Sequence, residues 1–193
     1  MGIERQETLV HWNFFLSIEE DLERLSRFVD FSGNDDTYSI EIARLFLSAC
    51  AETDVVLKQL CKAINENSTA SGINAYFEQI TEVFPSFKEF TVKMPRLGLT
   101  MTPWIDWAHE HPPFWWQHHN KVKHHRHNNF EKANLKNCIN AVAALYISVL
   151  YLYQHQAESG DLSQLPRLFN VSDENFGGVG MGRNGHFFKY TGF

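Results

Sequence analysis

Apolar residues along this chain recur mostly at helical spacing. The first such stretch places Leu22, Leu25, Phe28 and Val29 in one stripe between charged residues, the pattern of an amphipathic helix. Ser17 followed by Glu20 matches a capping box, so this helix is predicted over 17–31. Gly33-Asn34-Asp35-Asp36 then signals a turn. A second helix is predicted over 38–64 with two apolar rows. One row holds Ile40, Ala43, Leu47, Cys50, Leu57, Cys61 and Ile64, the other Leu45, Ala49, Val56 and Leu60. Two rows on one helix imply neighbours on several sides.

After a polar connection at 65–72, a third helix is predicted over 73–84, stopped by Pro85. The pattern changes at 87–103, where alternation around Val92 and Met94 predicts an extended excursion or small hairpin. Pro113 suits the first turn of a further helix, ending near Arg126. The last long helix is predicted over 131–154 and is apolar on nearly every side from Cys138 to Tyr153. That run is shorter than the ~18–20 residues that cross a bilayer, and Asn140 interrupts it. It is expected to be a core helix paired with the second one, with no membrane association.

The expected fold class is therefore all-α: a bundle of four to five helices with a small extended or hairpin insertion near 87–103. Residues 1–159 are expected to form the helical domain and 160–193 a glycine-rich tail, since seven of the 11 glycines lie from Gly160 onward. The helical period ends near Tyr153, so the tail is expected to be dispensable for folding. The string 176–185 invites a phosphate-loop reading but lacks a Lys-Ser/Thr ending. The N-terminal residues show no apolar leader pattern. Cys50, Cys61 and Cys138 sit in apolar helical patterns at no zinc spacing. Both features lead us to expect a cytoplasmic protein with reduced thiols.

With 193 residues, 44% of them hydrophobic, the chain can bury a sizeable core, and its 14% aromatic content fills much of it. Trp104, Trp107, Trp115 and Trp116 are expected in that packing rather than as base-stacking platforms. The net charge of −6 gives no global support for a nucleic-acid binder. The distribution is uneven, however. Lys121, Lys123, Arg126, Lys132 and Lys136 lie close together in sequence, with no carboxylate between Glu110 and Glu131. A local basic patch on an acidic body is expected.

That stretch overlaps the densest chemistry of the chain, since seven of the ten histidines fall between His109 and His127. Histidine serves as acid, base, metal ligand or phosphate donor near neutral pH. Metal ligands on one helix face need spacings of three or four. His118 and His119 have no histidine at those offsets, and no HExxH is present. No metal and no other cofactor is expected. RNA cleavage without metal needs a base at the 2′-OH, an acid at the 5′-oxygen and positive charge on the phosphate. His124 is the first candidate for proton transfer, with His119 the second carrier or a phosphate donor. Asn120, one turn away, can orient a ring. Lys121, Lys123 and Arg126 can neutralise phosphates.

The string WQHHNKVKH from Trp116 to His124 resembles the signature of the HEPN superfamily, in which an Arg, often followed by Asn, precedes a His by about five positions. Asn120 and His124 match, while His119 stands where the family has Arg. The apolar helix that follows is similar as well, and the likeness extends over roughly 14–155. It implies a helical bundle acting in RNA metabolism or defence. The module either binds RNA, a nucleotide or a protein partner, or is a metal-independent endoribonuclease of toxin or antiphage type. It also implies a homodimer and an acidic residue of the second helix facing the motif, a role assigned here to Glu52. Asp54 lies nearby, and a carboxylate among apolar positions of a central helix needs a partner or water.

Overall fold

The computed structural model describes residues 8–162, 164–171, 179–182 and 185–188. Most of the described residues are helical, with a small antiparallel sheet at one side. Helices α1 (Val10–Leu25), α2 (Ile40–Ile64), α3 (Ile73–Val83), α4 (Phe114–Asn129), α5 (Leu135–Leu152) and α6 (Gln154–Ser159) follow in chain order. Short 3-10 turns at Pro85–Glu89, Pro95–Leu97, Ile105–His109 and Phe130–Lys132 join some of them.

The core pair is α2 with α5. Helix α5 is buried at every position from Asn137 to Tyr151 except Asn140. Its apolar stretch is 83% buried inside the protein, so its hydrophobicity is spent on the core. Asn134 caps its start by accepting the Asn137 N–H at 3.1 Å, and Ser39 does the same for α2 through the Ile42 N–H at 3.1 Å. Such caps satisfy N–H groups that the first helical turn leaves without partners. Cys50, Cys61 and Cys138 are free thiols inside this core, and burial pushes the thiols of Cys61 and Cys138 up to about 11 and 12.

Helix α1 corrects the expected start at Ser17. It begins at Val10, because Trp12 and Phe15 extend the buried stripe of Ile18, Leu22 and Leu25 one and a half turns further back. The Phe15 ring stacks on Tyr146 of α5 at 4.9 Å. Ser17 is exposed in mid-helix, and Glu20 bonds Arg24 at 2.6 Å instead of a helix terminus. Burial of two large rings outweighs a local capping pattern. The helix also stops earlier than expected: Phe28 is 84% exposed, whereas Phe31 returns to the core.

The insertion near 87–103 forms a hairpin of β1 (Val92–Met94) and β2 (Leu99–Met101), with Val92 opposite Met101 and Met94 opposite Leu99. Val92 and Met94 point inward and Lys93 outward, the alternation a half-buried strand requires. Gly98 at φ 65° closes the turn in the left-handed region. A third strand, β3 (Asn170–Val171), pairs antiparallel with β1.

The packed body therefore continues past Gly160, and the boundary expected at residue 159 does not mark the end of the core. Leu162, Leu168, Phe169 and Val171 are buried, and the Phe169 ring lies 6.3 Å from Phe15 and 6.2 Å from Tyr146. The Glu19 carboxylate of α1 accepts three backbone N–H groups, from Arg167, Leu168 and Phe169, at 3.0, 2.8 and 3.1 Å. Burial raises the Glu19 pKa, and these three bonds oppose the shift. Further on, β4 (Val179–Gly182) and β5 (Gly185–Phe188) pair antiparallel. The phosphate-loop reading of 176–185 falls partly on β4 and on Gly185 of β5. Its remaining positions at 176–178 and 183–184 lie outside the described residues.

Candidate functional site

Helix α4 is fixed from its N-terminal end. Asp106 accepts the Phe114 N–H at 2.7 Å, and the Trp115 indole N–H donates to the Pro103 carbonyl at 2.8 Å. Trp115 meets Trp104 edge-on at 5.2 Å. The expected aromatic packing is present: Trp104, Trp107, Trp115 and Trp116 are all buried. Trp115, Trp116, His119 and Val122 form the only buried positions of the helix, a narrow stripe at helical spacing. His118 ties the helix to α5, its Nδ1 lying 3.1 Å from Asn137 Oδ1. The regular helix breaks at His125 with φ −139° and ψ 45°, one residue before the expected end at Arg126, and a further helical segment continues to Asn129.

Beside this stripe, between α4 and α2, lies an opening of about 400 Å³. Leu47, Ala51 and Asp54 line it from α2; Trp116, His119, Asn120, Lys123 and Arg126 line it from α4. The sequence-predicted residues His119, Asn120, Lys123 and Arg126 are thus brought together. Lys121 and His124 are exposed on α4 outside this lining.

Glu52 does not face the motif. Its Oε1 lies 2.6 Å from Nδ1 of His11 on α1, and both side chains are largely covered. Successive helical residues turn by about 100°, so positions 52 and 54 point to opposite flanks of α2. The carboxylate on the α4 flank is Asp54. Its Oδ1 accepts from the Tyr76 hydroxyl at 3.1 Å, and its Oδ2 lies 3.9 Å from Lys58 Nζ. The register could have found it: Leu47, Ala51 and Asp54 fall at i, i+4 and i+7 on one face.

His119 is 6% exposed, edge-on to Phe46 at 6.2 Å and Trp116 at 5.6 Å. Its Nδ1 is covered and has no hydrogen-bond partner among the described residues. Burial is the main reason its pKa falls to about 4, aided by Lys123 and His124 and opposed by Asp54. The ring is neutral at pH 7, so it is not an imidazolium acid there, and its lowered pKa makes it a weak base. Lys123 and Arg126 have no carboxylate within 4 Å among the described residues, whereas Arg24, Arg44 and Arg96 each do. No three His, Cys, Asp or Glu side chains among the described residues converge as a metal-binding group. No family model, curated protein or solved structure matches the chain.

Proposed function

We propose that this chain is a HEPN-like module of RNA metabolism or defence that binds single-stranded RNA along α4 without cleaving it. The observation that carries this reading is the cationic rim, Lys123 and Arg126, without carboxylate partners among the described residues, beside the His119 opening on an otherwise acidic chain. Unpaired cations beside an opening are placed to take phosphate oxygens. Lys121, exposed on the same helix, adds to the positive field. The family resemblance of the Asn120–His124 segment points to the same class of ligand. Cleavage within one chain would need two proton carriers at one phosphate. His119 is nearly buried, and His124 stands outside the opening, so the two are not set at one phosphate and this favours binding.

Fluorescence anisotropy with a labelled single-stranded RNA octamer, run at two salt concentrations, tests the reading. Wild type should bind with an affinity that falls as salt rises. Lys123→Ala with Arg126→Ala should weaken binding by about tenfold or more and flatten that dependence. The labelled RNA should remain intact after incubation, with or without EDTA. Unchanged affinity in the double variant would sink the binding reading, and specific cleavage would replace it with the nuclease.

A further inference from the structure

The opening between α2 and α4 holds more acceptor chemistry than an RNA phosphate can use. Lys123 and Arg126 suffice for the phosphate, and a carboxylate beside it is repulsive. Asp54 nevertheless lines the same opening, held from behind by the Tyr76 hydroxyl at 3.1 Å and near Lys58. It forms no ion pair within 4 Å with Lys123 or Arg126, although all three line one opening. The second observation is independent. His119, 6% exposed on the α4 wall of the same opening, carries a ring nitrogen with no partner among the described residues. A buried polar nitrogen without a hydrogen bond is destabilising. The core indoles of Trp12 and Trp104 also lack a partner among the described residues, but the His119 ring lines the opening between α2 and α4.

These groups define a ligand. The carboxylate only accepts, and the neutral imidazole offers one donor and one acceptor. The matching molecule places adjacent N–H donors on the carboxylate, a further polar edge atom near the imidazole, and a negative charge at the rim. Among the four RNA bases, guanine alone sets a ring N–H and an amino group side by side, with a carbonyl next to them. Adenine and cytosine set an amino group beside a ring acceptor, which a carboxylate repels. Uracil offers a single N–H between two carbonyls. An opening of about 400 Å³ is large enough for one base with its sugar.

We propose that this opening receives one guanine of a bound RNA strand, and that Asp54 is the specificity-determining residue that accepts from the base's N1–H and 2-amino groups. The inference rests on the RNA-binding reading given above. Lys123 and Arg126 hold the phosphate of the same nucleotide, His119 and Asn120 meet the remaining edge of the base, and Trp116 walls the opening. A splayed-out, unstacked base recognised along its Watson–Crick edge is the usual way a single strand is read.

The test uses the full chain and two labelled probes, octauridylate and the same oligomer with one central guanosine, read by fluorescence anisotropy. Wild type should bind the guanosine-containing probe about tenfold more tightly. Asp54→Asn should bind octauridylate within about twofold of wild type and lose the preference, because its amide turns a donor toward the base's donors. Equal binding of both probes by wild type would overturn the guanine assignment and leave the RNA reading in place. So would a preference that survives in Asp54→Asn, or a loss of affinity for both probes alike in that variant. Failure of wild type to bind either probe would overturn the RNA reading itself. Should Asp54→Asn lose its cooperative melt, Ala51→Leu at an exposed lining position narrows the opening instead. It should erase the preference too, and a preference retained there would overturn the proposal.

Discussion

Helix α2 sets a carboxylate near a histidine on each of two flanks, and the two arrangements differ in kind. On the α1 flank, Glu52 and His11 satisfy one another at 2.6 Å, and Glu19 closes on three backbone N–H groups. Arg44 bonds both Asp21 and Glu41 at 2.6 Å. On the α4 flank, among the described residues, His119 Nδ1 has no hydrogen-bond partner, and Lys123 and Arg126 have no carboxylate partner beside Asp54. On the first flank the carboxylates and their basic partners are matched within the chain, although the buried Trp12 indole N–H has no partner among the described residues. On the second flank the charged groups are arranged around a space.

The comparison breaks most easily at Glu19. Glu19→Ala strands three N–H groups in a region where Leu168 and Phe169 are buried, and should cost roughly 3 kcal/mol of stability by urea denaturation. A loss below about 1 kcal/mol would mean that this flank is not held by its polar contacts. His119→Leu is the opposite case. It removes the unsatisfied nitrogen from an aromatic setting, so stability at pH 7 should change by no more than ~1 kcal/mol, while RNA affinity falls.

The same variant sharpens the contrast through pH. The His119 pKa lies near 4 in the folded protein against an ordinary value of 6.5. Between those two values the unfolded chain binds more protons, so stability rises with pH. The contribution is fully present above 6.5 and is lost as pH falls toward 4. Melting temperatures across pH 4–7 should therefore fall more steeply on acidification for wild type than for His119→Leu. Parallel curves would place His119 in contact with water rather than in the core.

The smallest effects separate the two serines. Ser39→Ala removes the α2 cap and should cost about 1 kcal/mol. Ser17→Ala, in the exposed middle of α1, should lie within ~0.5 kcal/mol of wild type or slightly above it.

These serines show how far the sequence could be read. Periodicity placed α2, α3, the hairpin and α5, because each buries a stripe or alternation that its own residues spell out. It missed the start of α1, where Ser17 and Glu20 imitate a cap while Trp12 and Phe15, five and two positions earlier, carry the helix back to Val10. It missed β3 and the Glu19 contacts as well. A two-residue strand has no readable period, and a carboxylate bonded to main-chain N–H groups leaves no trace in the partner's side chains. Within the site, His119, Asn120, Lys123 and Arg126 share a helix and so a spacing. The choice between Glu52 and Asp54 depends on which flank of α2 meets α4, which only tertiary packing decides.

The Glu19 contacts also bear on how the chain is made. The partners of this carboxylate lie 148 to 150 residues further along. During vectorial synthesis α1 and α2 leave the ribosome long before residues 167–169 exist. Until then Glu19 and the face that Phe169 will cover stay open to solvent. Contacts of such separation form late and slowly. The nascent bundle thus passes through an interval in which it is helical yet unsealed, when a chaperone has the most surface to hold.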